Sequence, residues 1–173
     1  MKIFGLVGWS GSGKTTLMRG LLPALTDRGL RVSTIKHTHH NFDIDKPGKD
    51  SYMHREAGAH EVLITGARRW AILHENRDQA EPDMDSLLDR MEEVDLVLVE
   101  GFKSYRHNKL EVFRASVGKP LIAADDKTVV AVASDEMLDA TGVPLLDLND
   151  ISAVADFIVG FCGLEIRSAD GAA

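Results

Sequence analysis

One cysteine, Cys162, is all that the 173 residues contain. An intrachain disulfide is therefore excluded, a cysteine-based structural zinc site has no ligand set, and a reducing, cytoplasmic setting is expected. Positive charge is also short: 20 Lys and Arg stand against 27 Asp and Glu, for a formal charge of -7. General affinity for nucleic acid comes from clustered cations, so that class is excluded, and any anionic ligand must be gripped locally. Long apolar runs are missing as well. Ile3 to Val7 is too short for a signal-peptide core or a membrane span and is broken at once by Gly8, so neither secretion nor membrane insertion is indicated. No internal repeat or linker interrupts the chain. With 44% apolar residues, it is expected to form one domain over residues 1–166, followed by a disordered tail over 167–173.

What is present alternates. Lys2 to Val7 reads as a buried strand ending in a glycine-rich loop, and Leu17, Leu21, Leu22 and Leu25 then place an apolar stripe on a helix stopped near Gly29. Pro23 should kink that helix, since it has no backbone N–H to donate. A second strand, Leu30 to Ile35, leads into a polar stretch from Lys36 to Asp50 that is too long for a simple connection. Beyond it the pattern predicts a helix over Ser51 to Ala59, a hairpin of Glu61 to Thr65 with Arg69 to His74, and a helix over Asp83 to Glu92. The run Val94 to Val99 is almost wholly apolar, as in a parallel strand covered on both faces. Further strands are predicted at Leu110 to Phe113, Leu121 to Ala124, Val129 to Ala133 and Pro144 to Leu146, before an amphipathic helix over Asn149 to Phe161. The fold class is α/β: a doubly wound, mostly parallel sheet with an inserted β-hairpin, and the glycine-rich loop G-W-S-G-S-G-K-T after the first strand gives it P-loop NTPase topology.

Residues Gly8 to Thr15 read G-W-S-G-S-G-K-T directly after the first strand. In this pattern the glycines let the chain turn its N–H groups of Gly11, Ser12 and Gly13 into one concavity, and the positive end of the following helix adds to the field. Lys14 reaches toward β- and γ-phosphates, Thr15 offers a hydroxyl to Mg²⁺, and Thr16 is a further phosphate contact. Such a site also needs a carboxylate at the end of a neighbouring buried strand, and Glu100 meets that requirement. Asp95, about 17 Å away along the same extended run, does not.

Lys36 to Ser51 reads K-H-T-H-H-N-F-D-I-D-K-P-G-K-D-S. His37, His39 and His40 could ligate a transition metal, although their spacing is a weak zinc signal, or they could contact phosphate or a partner. Asp43, Asp45 and Asp50 could serve Mg²⁺ or orient a water, with Lys49 on a phosphate. A polar loop without chemistry is the alternative.

Taken together, G-W-S-G-S-G-K-T-T, I-K-H-T-H-H-N-F-D-I-D-K-P-G-K-D-S with A-G-A after it, and D-L-V-L-V-E-G-F-K resemble the molybdopterin-guanine dinucleotide biosynthesis adaptor family, MobB, over most of the chain. The resemblance implies a dimeric GTP-binding protein with weak GTPase activity that uses Mg²⁺ and assists a molybdopterin guanylyltransferase in joining GMP to molybdopterin. By position, Gly11, Ser12, Gly13, Lys14, Thr15 and Thr16 would bind the phosphates and Thr15 with Glu100 the metal. Lys36, His37, His40, Asp45, Lys49 and Asp50 would line the adjoining site, and Lys14, Asp45 and Glu100 would carry the catalytic roles. No N-K-x-D sequence is present, so a guanine-reading group would have to come from elsewhere; Asp125, Asp126, Ser134 and Asp135 are candidates or ordinary loop residues. Two other functions compete: a small-molecule kinase or ATP-dependent ligase, weakened by the lack of an arginine-rich lid, and a metal-delivery GTPase.

Overall fold

The computed structural model describes residues 1–38, 42–102, 105–139 and 141–167. Two compact units emerge: Met1–His37 together with Glu92–Ala173, and Thr38–Met91.

The first unit is built on strands β1 (Lys2–Val7), β2 (Val32–Lys36), β5 (Leu96–Glu100), β6 (Lys109–Phe113), β7 (Val129–Ser134) and β8 (Leu145–Asp147), lying in the order β2-β5-β1-β6-β7-β8. All five pairings are parallel. From β1 the chain winds first to one side and, after β5, to the other, so the direction of winding reverses at β1. This is the α/β sheet the sequence predicts, and the crevice beyond the strand ends at such a reversal is where ligands bind in open sheets.

One sheet face presents Phe4, Leu6, Leu96, Leu98, Leu110 and Val112, all essentially without solvent exposure. Two helices cover it. Helix α1 (Lys14–Thr26) contributes Leu17, Met18, Leu21 and Leu25, and helix α4 (Ile151–Cys162) contributes Val154, Ala155, Ile158 and Val159. Burial of each such leucine or isoleucine contributes about 1.5–3 kcal/mol over leaving it exposed, which makes this layer the main source of stability. The helices meet closely at Gly20, where a Cβ would stand 3.0 Å from Ile151 Cδ1. Helix α4 starts at Asp150, whose carboxylate accepts from the Ala153 N–H at 2.9 Å, and stops at Gly163 in the left-handed region. Pro23 lies inside α1, which runs on through it to Thr26; the Thr26 hydroxyl donates back to the carbonyls of Leu22 and Pro23.

Leu121 to Ala124 is not a strand. Ile122–Ala124 forms a 3₁₀ turn, because Pro120 has no N–H to give to a strand ladder and the N–H groups of Ile122 and Ala123 are taken by a side chain. The carboxylate of Glu111, fully buried on β6, accepts from the N–H groups of Ile122 and Ala123, each at 2.8 Å. On the same face of β6, Lys109 is 1% exposed and its Nζ donates to Thr128 Oγ1 at 2.7 Å and Asp126 Oδ2 at 3.3 Å. Both charges are thus hydrogen-bonded, as burial demands.

The second unit carries helix α2 (Asp50–Glu56), the antiparallel hairpin β3 (Glu61–Gly66) with β4 (Arg69–His74), and helix α3 (Met84–Leu88). The predicted hairpin is present, closed by Ala67 and Arg68. The helices are shorter than predicted: Ala57 caps α2, while Asp83 stays outside α3 as its N-cap, accepting from the Ser86 N–H at 2.8 Å.

Candidate phosphate-binding site

The loop between β1 and α1 is held by its own backbone. Gly8 has φ 153°, and a Cβ there would collide with the Val112 carbonyl and stand 2.6 Å from Ser12 Oγ, so no other residue fits. Ser12 N–H donates to the Trp9 carbonyl at 3.2 Å, and Gly13, at φ 99°, turns the chain into α1. Lys14, the first helical residue, lays its Nζ on the carbonyls of Gly8 (2.9 Å) and Trp9 (3.0 Å). Gly11 faces open space, while the buried Ser12 Oγ has no hydrogen-bond partner among the described residues. An oriented loop with a cation folded onto it and a polar atom left unmatched is the donor set a phosphate group fits.

Strand register brings the second half of the site alongside. Glu100 closes β5 opposite Leu6 of β1 and Lys36 of β2. There Thr15 Oγ1 donates to Glu100 Oε1 at 3.4 Å, a long contact that leaves the hydroxyl and carboxylate able to share a cation. The His37 N–H donates to the Glu100 carbonyl at 2.9 Å, and the His37 ring lies 4.3 Å from that of Phe102, centroid to centroid. Gly101, at φ 98°, is required at this turn, because a Cβ would stand 3.0 Å from both Cβ and O of His37. Lys14, Thr15, Lys36, His37 and Glu100 are therefore collected at one end of the sheet, with Thr16 one residue further along α1.

Two contributors escaped the sequence reading. Arg114, just beyond β6, donates from Nε to the Ser12 carbonyl at 3.2 Å and forms an ion pair with Asp135. Trp9 donates its indole N–H to the Pro120 carbonyl at 2.8 Å, with Lys119 Nζ 5.8 Å from the ring centre. Both link the loop to residues more than one hundred positions away, a distance at which local pattern gives no signal. Of the four residues considered for base reading, Asp126 is committed to Lys109 and Thr128, and Ser134 Oγ accepts from the Glu136 N–H. Asp125 ends the 3₁₀ turn.

The second unit holds the remaining predicted residues. Asp45 accepts from Ser51 Oγ at 2.9 Å and from Arg55 Nε at 3.4 Å, so both oxygens are engaged. Arg55 also pairs with Asp43 (2.9 Å) and Glu75 (2.7 Å) and is the centre of this cluster, again unseen in sequence. These carboxylates hold its guanidinium well above its ordinary range, the Glu75 hydrogen bond most of all. Lys49 and Asp50 are exposed at the start of α2. His40 lies outside the described residues, and among those described no group of three metal-ligating side chains comes together.

Comparison with known proteins now separates one phosphate-loop protein from another. Residues 3–135 match the family described as MobB, molybdopterin guanine dinucleotide synthesis protein B. The chain belongs to the MobB family. It is 47% identical over 160 residues to the molybdopterin-guanine dinucleotide biosynthesis adapter protein of Escherichia coli K12, covering 91% of each chain. With the adapter protein of the same description from Haemophilus influenzae, identity is 44% over 158 residues, covering 90% of this chain and 86% of that one. A crystal structure of molybdopterin-guanine biosynthesis protein B superposes with a TM-score of 0.74 at 28% identity, over 92% of this chain and 99% of the other. Membership ties this MobB chain to molybdopterin guanine dinucleotide synthesis as an adapter, and the shared architecture includes the six-stranded sheet. Among the described residues of this MobB chain no helix is long and apolar enough to cross a membrane.

Proposed function

We propose that the chain binds Mg²⁺–GTP at Gly8 to Thr16 and hydrolyses it slowly, acting as a homodimeric accessory to a molybdopterin guanylyltransferase while GMP is joined to molybdopterin. The observation that carries this reading is the meeting of the Thr15 hydroxyl with the Glu100 carboxylate beside the glycine loop. Phosphate oxygens would take the loop N–H groups and draw Lys14 Nζ off the Gly8 and Trp9 carbonyls, trading neutral acceptors for charged ones. Thr15 and Glu100 are the residues that would hold Mg²⁺, which when bound neutralises charge on the β- and γ-phosphates. In this reading Lys14 and Glu100 carry hydrolysis, and Asp45, with both oxygens engaged, orders the segment around Arg55. Lys36 and His37 flank the Glu100 end and are the side chains offered to the pterin phosphate or the transferase. The relatives' description as adapter proteins supports slow turnover, since an adapter is defined by its partner's reaction.

The test is calorimetric titration of Mg²⁺–GTP, followed by a reconstituted guanylyl-transfer assay with and without the chain, and sedimentation for the dimer. Saturable binding and faster formation of the dinucleotide cofactor are expected. Absence of binding removes the nucleotide site; binding without any effect on transfer removes the accessory role.

A further inference from the structure

Beside the glycine loop lies a recess of about 180 Å³, bounded by Gly13 and Thr16 at one end, Leu148 and Ile151 on its apolar side, and Arg114 and Asn149 at its polar edge. We propose that this recess receives the purine base of the nucleotide whose phosphates occupy the loop, and that Arg114 selects guanine over adenine there. The inference rests on the phosphate-site reading above and supplies what the missing N-K-x-D sequence leaves open.

Size argues first. Pockets that enclose a whole ligand run to roughly 300–1,000 Å³, so this one suits a single ring system with the rest of the molecule outside. Position agrees, because Gly13 and Thr16 belong both to the recess and to the start of α1, where the phosphates lie. The floor is apolar: Leu148 is 5% exposed, and Ile151 packs onto Gly20 of α1.

Chemistry then decides which base. Two of the three Arg114 nitrogens are committed, Nε to the Ser12 carbonyl and NH1 to Asp135, which fixes the plane of the guanidinium. NH2 has no hydrogen-bond partner among the described residues. A guanidinium only donates. Guanine presents the acceptors O6 and N7 on one edge, whereas adenine has a donating amino group in place of O6, so a fixed Arg rewards the first and repels the second. Asn149 complements this. Its Nδ2 donates to Asp147 Oδ1 at 3.1 Å, which leaves its own carbonyl oxygen to accept from the N1–H that guanine has and adenine lacks. Asp135 acts through Arg114 and is a positioning residue.

Four titrants separate the base from the phosphates: the Mg²⁺ complexes of GTP, ITP, ATP and inorganic tripolyphosphate, each measured by calorimetry. In the wild type GTP and ITP, which share O6 and N1–H, should bind alike and at least about fivefold tighter than ATP. Arg114→Gln, whose amide can accept as well as donate, should bring the GTP to ATP ratio close to one, a ratio from which any loss of the Ser12 contact common to both nucleotides cancels. If that variant also loses tripolyphosphate through its Ser12 contact, Asn149→Trp decides: filling the recess should weaken GTP at least about tenfold and leave tripolyphosphate unchanged. Equal wild-type affinity for GTP and ATP overturns the proposal, as does an unaltered ratio in Arg114→Gln or unaltered GTP affinity in Asn149→Trp. Failure of the wild type to bind tripolyphosphate and every nucleotide is a different result, and sinks the phosphate site itself.

Discussion

Two polar segments follow the first two strands, and they keep their shape by opposite means. The loop Gly8 to Lys14 is set by backbone: left-handed glycine at Gly13, an internal N–H to carbonyl bond, and a lysine laid on two carbonyls. Residues 42–50 are held by ionised side chains, with Asp43 and Asp45 gathered on Arg55. A backbone-built loop keeps its donors aimed whether or not a ligand is present, which is the preorganisation that anion binding needs. A charge-built segment depends on protonation and on each partner, which suits a surface whose order is conditional. Only the first therefore has the form of a fixed ligand cradle.

The largest expected effect comes from attacking the backbone device. Gly8→Ala should cost roughly 2–4 kcal/mol in urea unfolding, because the added Cβ meets the Val112 carbonyl and Ser12 Oγ and the chain cannot move away without opening β1 from β6. A loss under about 0.5 kcal/mol, the scale of a neutral surface change, would show that the loop is not sterically set.

Lys14→Ala comes next. Affinity for Mg²⁺–GTP should fall by at least about tenfold, some 1.4 kcal/mol, with the unfolding midpoint nearly unchanged. Undiminished affinity in a folded variant would separate the loop from phosphate binding altogether.

Glu100→Gln should bind nucleotide but turn it over more slowly, since one carboxylate charge beside Thr15 is lost while the loop is untouched. Steady-state hydrolysis at limiting Mg²⁺ reads this directly, and wild-type rates there would move the metal carboxylate elsewhere.

The smallest effects are in the pH profile, where the two regions should part. Hydrogen bonding from the Asp45 N–H, then from Arg55, holds the Asp43 carboxyl below its ordinary 3.8. The unfolded chain therefore takes up that proton first, so the contact's stability is complete above about pH 4 and is lost as pH falls through the lower, folded value. In the sheet unit His107 is held below its ordinary 6.5, mainly by burial and also by Lys109. Its stability contribution is present above about pH 6.5 and declines as the medium becomes acid enough to charge the unfolded histidine. Urea titrations should thus show a first decline below neutrality that His107→Gln removes, and a second near pH 4, shared with Glu61, Asp83 and Asp126, that Asp43→Asn reduces.

Periodicity and turn chemistry made most of the frame legible. Lys2–Val7 and the hairpin need no more than an apolar run, a glycine and alternating residues, and the loop motif led directly to Lys14, Thr15 and, across the sheet, Glu100. Failures arose wherever a distant side chain overrode the local pattern. Leu121 to Ala124 is apolar enough for a strand, but Glu111 claims its N–H groups from another strand. Lys109 and Glu111, two charges alternating within an otherwise apolar strand, were the available sign of buried pairing on that face. Arg114 and Arg55 gave no sign, because an arginine's partners are chosen by the fold rather than by its neighbours in sequence.

Trp9 has a practical consequence for watching this molecule at work. The chain contains two tryptophans. One sits inside the glycine loop with its indole N–H on the Pro120 carbonyl; the other, Trp70, stands 63% exposed on the hairpin. Each region therefore carries its own intrinsic fluorophore. With Trp70→Phe the remaining emission belongs to the loop, with Trp9→Phe to the hairpin, and the two halves of the chain can be followed separately in real time without attaching a dye.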